Sequence, residues 1–252
     1  MPDIKHGYLT LSLTEEGTYA VVYCEKDAEE VVIPSQVGGI AVTEIADNAF
    51  EECKMLLKVE FEKPGLDCLL EGFVLFSIGE YAFSYCVNLV SIDIPESVIS
   101  IERGAFYHCE SLKIVTFSPR TYVGAYAFCG CGELEHITPL SYASEGVFSC
   151  CEKLSDIKLL DGITDICEDA FEDCESLAEI VIPRSVQRIE QLAFRGCHSL
   201  KRVTFEDPVG WYVRIRYNGS EHALVLTDEA DVARELSRMD FDDGVDCWFK
   251  KK

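Results

Sequence analysis

The chain has 252 residues, 48% of them hydrophobic, with 45 acidic against 22 basic side chains and a formal net charge of −23. That balance repels phosphate backbones and anionic lipid, so nucleic acid and membrane are poor partners, while basic or neutral partners remain open. No apolar run approaches the roughly 18 residues needed to cross a bilayer.

Residues 1–32 are predicted to form an N-terminal hairpin cap. Tyr8 to Leu13 alternates as a strand, Glu15, Glu16 and Gly17 offer a turn, and Tyr19 to Tyr23 returns. Met1 to Leu13 shows neither a basic start followed by an apolar core nor a small-residue cleavage site. The sequence as it stands is therefore expected to act in the cytoplasm.

Residues 33–205 carry an internal repeat. A phenylalanine recurs at Phe50, Phe83, Phe106, Phe128, Phe148, Phe171 and Phe194, with spacings of 33, 23, 22, 20, 23 and 23. Three residues after each stands a cysteine: Cys53, Cys86, Cys109, Cys131, Cys151, Cys174 and Cys197. Six residues after each stands a leucine, Leu56 through Leu200, and nine after stands a valine or isoleucine. A unit of this length cannot bury its own apolar side. Stacked coils put each apolar column against its copy in the next, giving a continuous core. The segment Leu-x-x-Ile-x-Ile, as in Leu89 to Ile94, ends in the period-2 alternation of a short strand. Ile92 and Ile94 are expected inward, Ser91 and Asp93 outward. Pro95 and Pro183 end their strands, and Val98, Ile101, Val186 and Ile189 bring the chain back along the opposite wall. Seven parallel strands at about 4.8 Å would make one sheet roughly 30 Å long. The expected class is an α/β repeat solenoid: short parallel strands, corners that are irregular or briefly helical at Ala-Phe-x-x-Cys, and a cap at each end.

These phrases, Ile-Pro-Glu-Ser-Val at 94–98 and Ala-Phe-Tyr-His-Cys-Glu-Ser-Leu at 105–112 among them, resemble the BspA-type leucine-rich repeat, a bacterial class also described from treponemal membrane proteins. The resemblance implies the leucine-rich-repeat fold and protein-binding roles, including surface antigens and adhesins. It implies no catalytic residues, and a secreted or cell-surface place as the alternative to the cytoplasm.

The gap between Phe50 and Phe83 holds about ten extra residues near 65–76, rich in Leu and Phe. Insertions in repeat proteins map to loops on one face. Two readings are open: a fold back over the convex wall, or a loop that meets a partner. Residues 206–252 are predicted to form a C-terminal cap. Trp211 to Tyr217 alternates, Asn218 and Gly219 supply a tight turn, and His222 to Leu226 pairs back. A helix then starts near Thr227 or Asp228, with Val232, Leu236 and Met239 on one face. Asp240 to Lys252 reads as a frayed tail, in which Cys247, Trp248 and Phe249 are able to dock.

The 13 cysteines invite a metal or redox reading. Zinc sites usually show Cys-x-x-Cys pairs or a Cys/His set, and no Cys-x-x-Cys occurs. Seven recur once per coil, as packing residues do. Cys24, Cys68, Cys129, Cys150, Cys167 and Cys247 lie outside that column, and whether any pair forms a disulfide stays open. His6, His108, His136, His198 and His222 fall at different repeat offsets and define no ligand set. Nucleotide-loop, nucleophile-elbow and zinc-helix motifs are missing, so no catalytic residue, metal or cofactor is expected.

The candidate site is the outward face of the strands, eight and ten residues after each Phe: Lys58 and Glu60, Ser91 and Asp93, Ile114 and Thr116, His136 and Thr138, Asp156 and Lys158, Glu179 and Val181, Arg202 and Thr204. These project from the concave sheet a solenoid usually binds with. Ile114 and Val181 are apolar and outward, which marks them as contact points. A protein partner is expected. A glycan is the alternative, ranked lower because these positions hold no aromatic ring for a sugar to stack on. A thiol or redox protein ranks last and would need an exposed, low-pKa cysteine.

Overall fold

A computed structural model describes residues 3–65, 74–207, 211–217, 220–225, 236 and 246–251. Strands β1 (Ile4–His6), β2 (Leu9–Leu13) and β3 (Tyr19–Cys24) pair antiparallel in that order. They place the first hairpin where the sequence alternates. The chain continues through β4 (Glu30–Ile33), a short hairpin of β5 (Gln36–Val37) with β6 (Ile40–Ile45), and β7 (Lys58–Phe61). It then alternates between two walls: β8 (Ser77–Ile78), β9 (Ser91–Asp93), β10 (Ser100–Ile101), β11 (Ile114–Thr116), β12 (Tyr122–Val123) and β13 (His136–Ile137). The later coils give β14 (Asp165–Ile166), β15 (Glu179–Ile182), β16 (Arg188–Ile189) and β17 (Arg202–Phe205).

Strands β4, β7, β9, β11 and β13 form one parallel sheet, the first wall. Burial alternates as expected, with Ile92 and Val115 buried and Ser91, Asp93, Ile114 and Thr116 exposed. The sheet starts one strand upstream of the Phe-marked coils, because Val31 and Ile33 of β4 align with Val59 and Phe61. Strands β6, β8, β10 and β12 form the second wall. Ile45, Ile78, Ile101 and Val123 are buried beneath it.

The single seven-stranded sheet predicted for the first wall is not found. Strands β15 and β17 make a separate pair, and the coil carrying Asp156 and Lys158 contributes no strand between them and β13. Pro139 explains the break. It follows Thr138 directly, lacks an N–H and cuts β13 to two residues. The ladder survives there as Leu140 N–H to Lys158 O (2.9 Å) and Leu160 N–H to Leu140 O (2.8 Å), shifted toward the end of the strand.

The corners are also not helical. The residues two before and two after each Phe all have positive φ: Asn48 and Glu52, Tyr81 and Tyr85, Gly104 and His108, and so on to Leu192 and Gly196. A helix would spend every amide along its own axis. Here alternate amides leave the coil: Asn48, Phe50 and Glu52 donate to the carbonyls of Glu80, Ala82 and Ser84 at 2.9, 2.7 and 2.8 Å. The amides between them, of Ala49, Glu51 and Cys53, close tight turns onto Ala46, Asn48 and Phe50. Each corner thus satisfies its own backbone and stitches itself to the next coil. Among the described residues there is almost no helix; Leu236, in the predicted C-terminal helix, is helical and buried.

Inside, the seven phenylalanines stack as one column. Successive ring centroids lie 4.6, 5.1, 5.3, 5.8, 5.7 and 5.2 Å apart, with planes within 25°. The two widest steps flank Phe148, in the coil that lacks its strand. At the far end β18 (Trp211–Tyr217) pairs antiparallel with β19 (Ser220–Val225), bringing Tyr217 opposite Ser220. Strand β20 (Asp246–Lys251) pairs antiparallel with both β18 and β16. The tail read as frayed is therefore docked over Asp246–Lys251. Residues 66–73 of the predicted insertion, and most of the predicted helix, lie outside the described residues.

Candidate functional site

The strand register sets eleven of the fourteen candidate side chains in two rows on the first wall, while Thr138, Asp156 and Lys158 lie outside the strands. Lys58, Ser91, Ile114 and His136 are direct neighbours in one row. Asp93 and Thr116 are neighbours in the other. Past the break, Glu179 faces Arg202 and Val181 faces Thr204. Twelve of the fourteen are exposed, while Thr138 and Thr204 are half-buried. The structure does not bring Ile114 and Val181 together. Each is open, at 44% and 50% exposure, but the coils of His136 and Asp156 and the sheet break lie between them.

The rows are partly self-neutralised. Lys58 contacts Glu60 at 2.5 Å, Arg202 contacts Glu179 at 2.9 Å, and the Thr116 hydroxyl donates to Asp93. Exposed pairs of this kind add little stability, but they offer a partner matched donors and acceptors. Sequence reasoning missed members of this wall. Strand β4 adds Glu30 beside Lys58 and Val32 beside Glu60, and Val32 is 54% exposed. Leu57 and Val90, both exposed, border the row. The alternation of Glu30–Ile33 was the available signal, but that coil has no Phe to mark it.

A second set was missed on the opposite wall. Phe76, Ile99, Tyr122 and Tyr142 are all exposed and stand on four successive coils. Counted forward from the preceding Phe they scatter. Counted back from the following Phe they fall at seven, seven, six and six residues.

The cysteine column is buried as read, with a further role. The thiols of Cys86, Cys109, Cys131, Cys151, Cys174 and Cys197 each donate to the carbonyl of the Phe in the preceding coil, at 3.1 to 3.3 Å. Burial pushes the Cys109 and Cys151 thiols far above the ordinary range. Among the described residues the accessible thiols, Cys150 and Cys167, are pushed the same way. Burial and the nearby carboxylates Glu190 and Asp165 raise Cys167 to about 11. Burial also raises Cys150, beside Asp173 and Glu172. A raised pKa withholds the thiolate that thiol chemistry needs. Among the described residues, no three His, Cys, Asp or Glu side chains group to hold a metal ion, and no helix is long and apolar enough to cross a membrane.

The most perturbed carboxylate is Asp169, at a left-handed corner position. Its Oδ1 is buried without a hydrogen-bond partner. Burial, then Glu172 and Glu168, raise it to about 6 against the opposing pull of Arg195.

A family model described as "BspA type Leucine rich repeat region" matches residues 5–71 and 76–201 in 6 copies. The solved leucine-rich-repeat protein of T. pallidum superposes with a TM-score of 0.65 at 24% identity, over 79% of this chain and 91% of that one. A leucine-rich-repeat protein from Bacteroides ovatus gives a TM-score of 0.50 at 26% identity, over 70% of this chain and 55% of the other. This chain therefore spans about half the length of the B. ovatus protein. No curated protein matches the sequence.

Proposed function

The chain belongs to the BspA-type leucine-rich-repeat family, and on that premise we propose that it is a non-catalytic protein-interaction module that binds through the first wall. Leucine-rich repeats of this kind are generally protein-interaction modules, and they are typically not enzymes. The observation that carries the assignment is the contrast between columns and rows. Every coil repeats its Phe, Cys and Leu in the core, while the two outward rows differ from coil to coil in charge, size and polarity. A rigid scaffold presenting a non-repeating surface is how a solenoid encodes a partner. The excess of negative charge favours a basic or neutral protein.

Strands β1 and β2 at one end, and β18 to β20 at the other, act as caps that cover terminal coils. The place of action we favour is the cytoplasm, where column thiols used as hydrogen-bond donors stay reduced. An adhesin-like surface role is the alternative, and fractionation of the source cells separates the two.

The test is affinity capture with the unmodified chain and with an Ile114→Asp/Val181→Asp variant. Both sites are exposed, so the variant is expected to keep its unfolding midpoint and lose the captured partner. Full retention by the folded variant contradicts binding through this wall.

A further inference from the structure

We propose that the open edge of β4 is a docking site, distinct from the two outward rows, for a partner that offers a basic, extended strand, which joins the first wall as its next member. The two walls begin differently. On the second wall β6 is preceded by β3, and β3 is covered in turn by β2 and β1. On the first wall β4 pairs with β7 and with no other strand among the described residues. Leu57 N–H donates to Glu29 O at 2.7 Å and Glu62 N–H donates to Ile33 O at 2.9 Å. The backbone groups of residues 29, 31 and 33 therefore face β7. By the alternation of a parallel ladder, the N–H and C=O of Glu30 and Val32 face away from it. They have no backbone partner among the described residues. Buried backbone groups are rarely left unpaired, so these donors and acceptors stand open to water. Such an edge is a template for another strand. Over Glu30–Ile33 there is no Pro, no Lys and no shift of register against β7 to blunt it. The one charge on it is Glu30, which turns away an acidic strand and suits a basic one.

Charge selects the occupant. The corner leading into β4 and its first residue hold Glu25, Asp27, Glu29 and Glu30 against one base, Lys26. The bases near them are engaged. Lys26 donates to Glu51 O and lies over the Tyr23 ring at 5.4 Å. Lys5 pairs with Glu25 at 2.5 Å. Lys58, beside Glu30 in register, contacts Glu60 at 2.5 Å. Asp27, Glu29 and Glu30 are exposed and form no salt bridge among the described residues. A second copy of the chain is a poor occupant, because it brings the same carboxylates and a net charge of −23. A basic strand gains what a second copy loses. Cross-strand neighbours set its pattern. Lys or Arg belongs beside Glu30, and a β-branched residue beside Val32, which is 54% exposed. The side chains that alternate with these lie beside buried Val31 and Ile33, at the end of the core, and are apolar.

The test titrates the full chain with the peptide Lys-Val-Thr-Val-Thr-Val-Lys, blocked at both ends, which presents the same pattern in either direction. Two control peptides carry Glu for Lys, or the same side chains on an N-methylated backbone. The Lys peptide is expected to bind saturably, more weakly as salt is raised, and to slow amide hydrogen exchange at Glu30 and Val32. The Glu peptide is expected not to bind. The N-methylated peptide is expected to bind about tenfold more weakly or worse, because its charge is kept and its ladder bonds are lost. Val32→Pro removes an outward donor and leaves the groups that face β7 in place. It is expected to weaken the Lys peptide by a similar factor with the unfolding midpoint held, since edge strands accept Pro. Glu30→Lys keeps the backbone and reverses the charge, with the same expected loss by like-charge contact. The proposal is overturned if the Lys peptide does not bind by about 1 mM, if the N-methylated peptide binds as well, if the folded variants bind unchanged, or if the slowed amides lie elsewhere. Ile114→Asp/Val181→Asp leaves this edge intact and is expected to keep the peptide, so binding through the outward rows is scored separately.

Discussion

The corner residues show how local strain is distributed. Each Phe is flanked by two left-handed positions, and only some hold residues suited to them. Gly104 has φ +60° and lies beneath the Tyr81 ring, where a Cβ would come within 2.4 Å of the ring. Gly104→Ala is expected to destabilise the fold by more than the ~1 kcal/mol left-handed penalty alone. At Leu192 (φ 57°) the reverse holds: its half-buried side chain gives up little, and Leu192→Gly is expected to cost less than a leucine-to-glycine change elsewhere. Urea unfolding of the two variants checks both signs. The Cys column makes a similar case. Cys109→Ala removes a thiol bonded to Phe83 O at 3.1 Å and is expected to cost about 1–3 kcal/mol, whereas Cys109→Ser keeps a donor and is expected to cost less. Asp169 supplies a pH dependence. Its folded pKa of about 6 exceeds the ordinary aspartate value of about 3.9, so the folded state holds its proton more tightly. Stability from this group is expected to fall as pH rises through that window and to level off above it. Asp169→Asn should flatten that segment of the stability profile, and an unchanged slope would show that other groups set it.

At the scale of the element, the weak point is the coil between β13 and β15, where the strand ladder is interrupted and the Phe stack is widest. Coils contact only their neighbours, so a loss there need not spread evenly. Phe148→Ala is expected to cost about 3–5 kcal/mol and to separate the two ends of the solenoid. Both tryptophans, Trp211 and Trp248, belong to the C-terminal strands. Their fluorescence is therefore expected to change at lower urea than the far-ultraviolet signal in this variant. Coincident curves would mean that the molecule still unfolds as one unit. This break also marks where sequence reading ran out. The Phe, Cys and Leu columns made the core, the strand faces and the return wall legible, because side-chain burial has a strict period. Pro139 was visible, but its effect depends on which amide the next coil needs, and that is a property of the three-dimensional register. The corners were misread because Ala-Phe-x-x-Cys is compatible with a helical turn. Only the inter-coil amide bonds reveal the alternation of left- and right-handed residues. The exposed apolar residues of the second wall escaped because the coils vary in length, so a count from the preceding Phe loses step.

For the whole molecule, a charge of −23 acts against compactness by self-repulsion. Raising salt from about 0.05 to about 0.5 M shortens the range of that repulsion and is expected to raise the unfolding temperature; a fall would show that the exposed ion pairs outweigh it. The same charge biases the choice of partner, while the solenoid fixes where a partner meets the chain. The most direct test of the account adds the captured protein partner back to the purified chain and maps amide hydrogen exchange along it. Protection confined to β7, β9, β11, β13, β15 and β17, with the second wall unchanged, is the expected result. Protection at the corners or on the second wall, with the first wall exchanging as in the free chain, would contradict it.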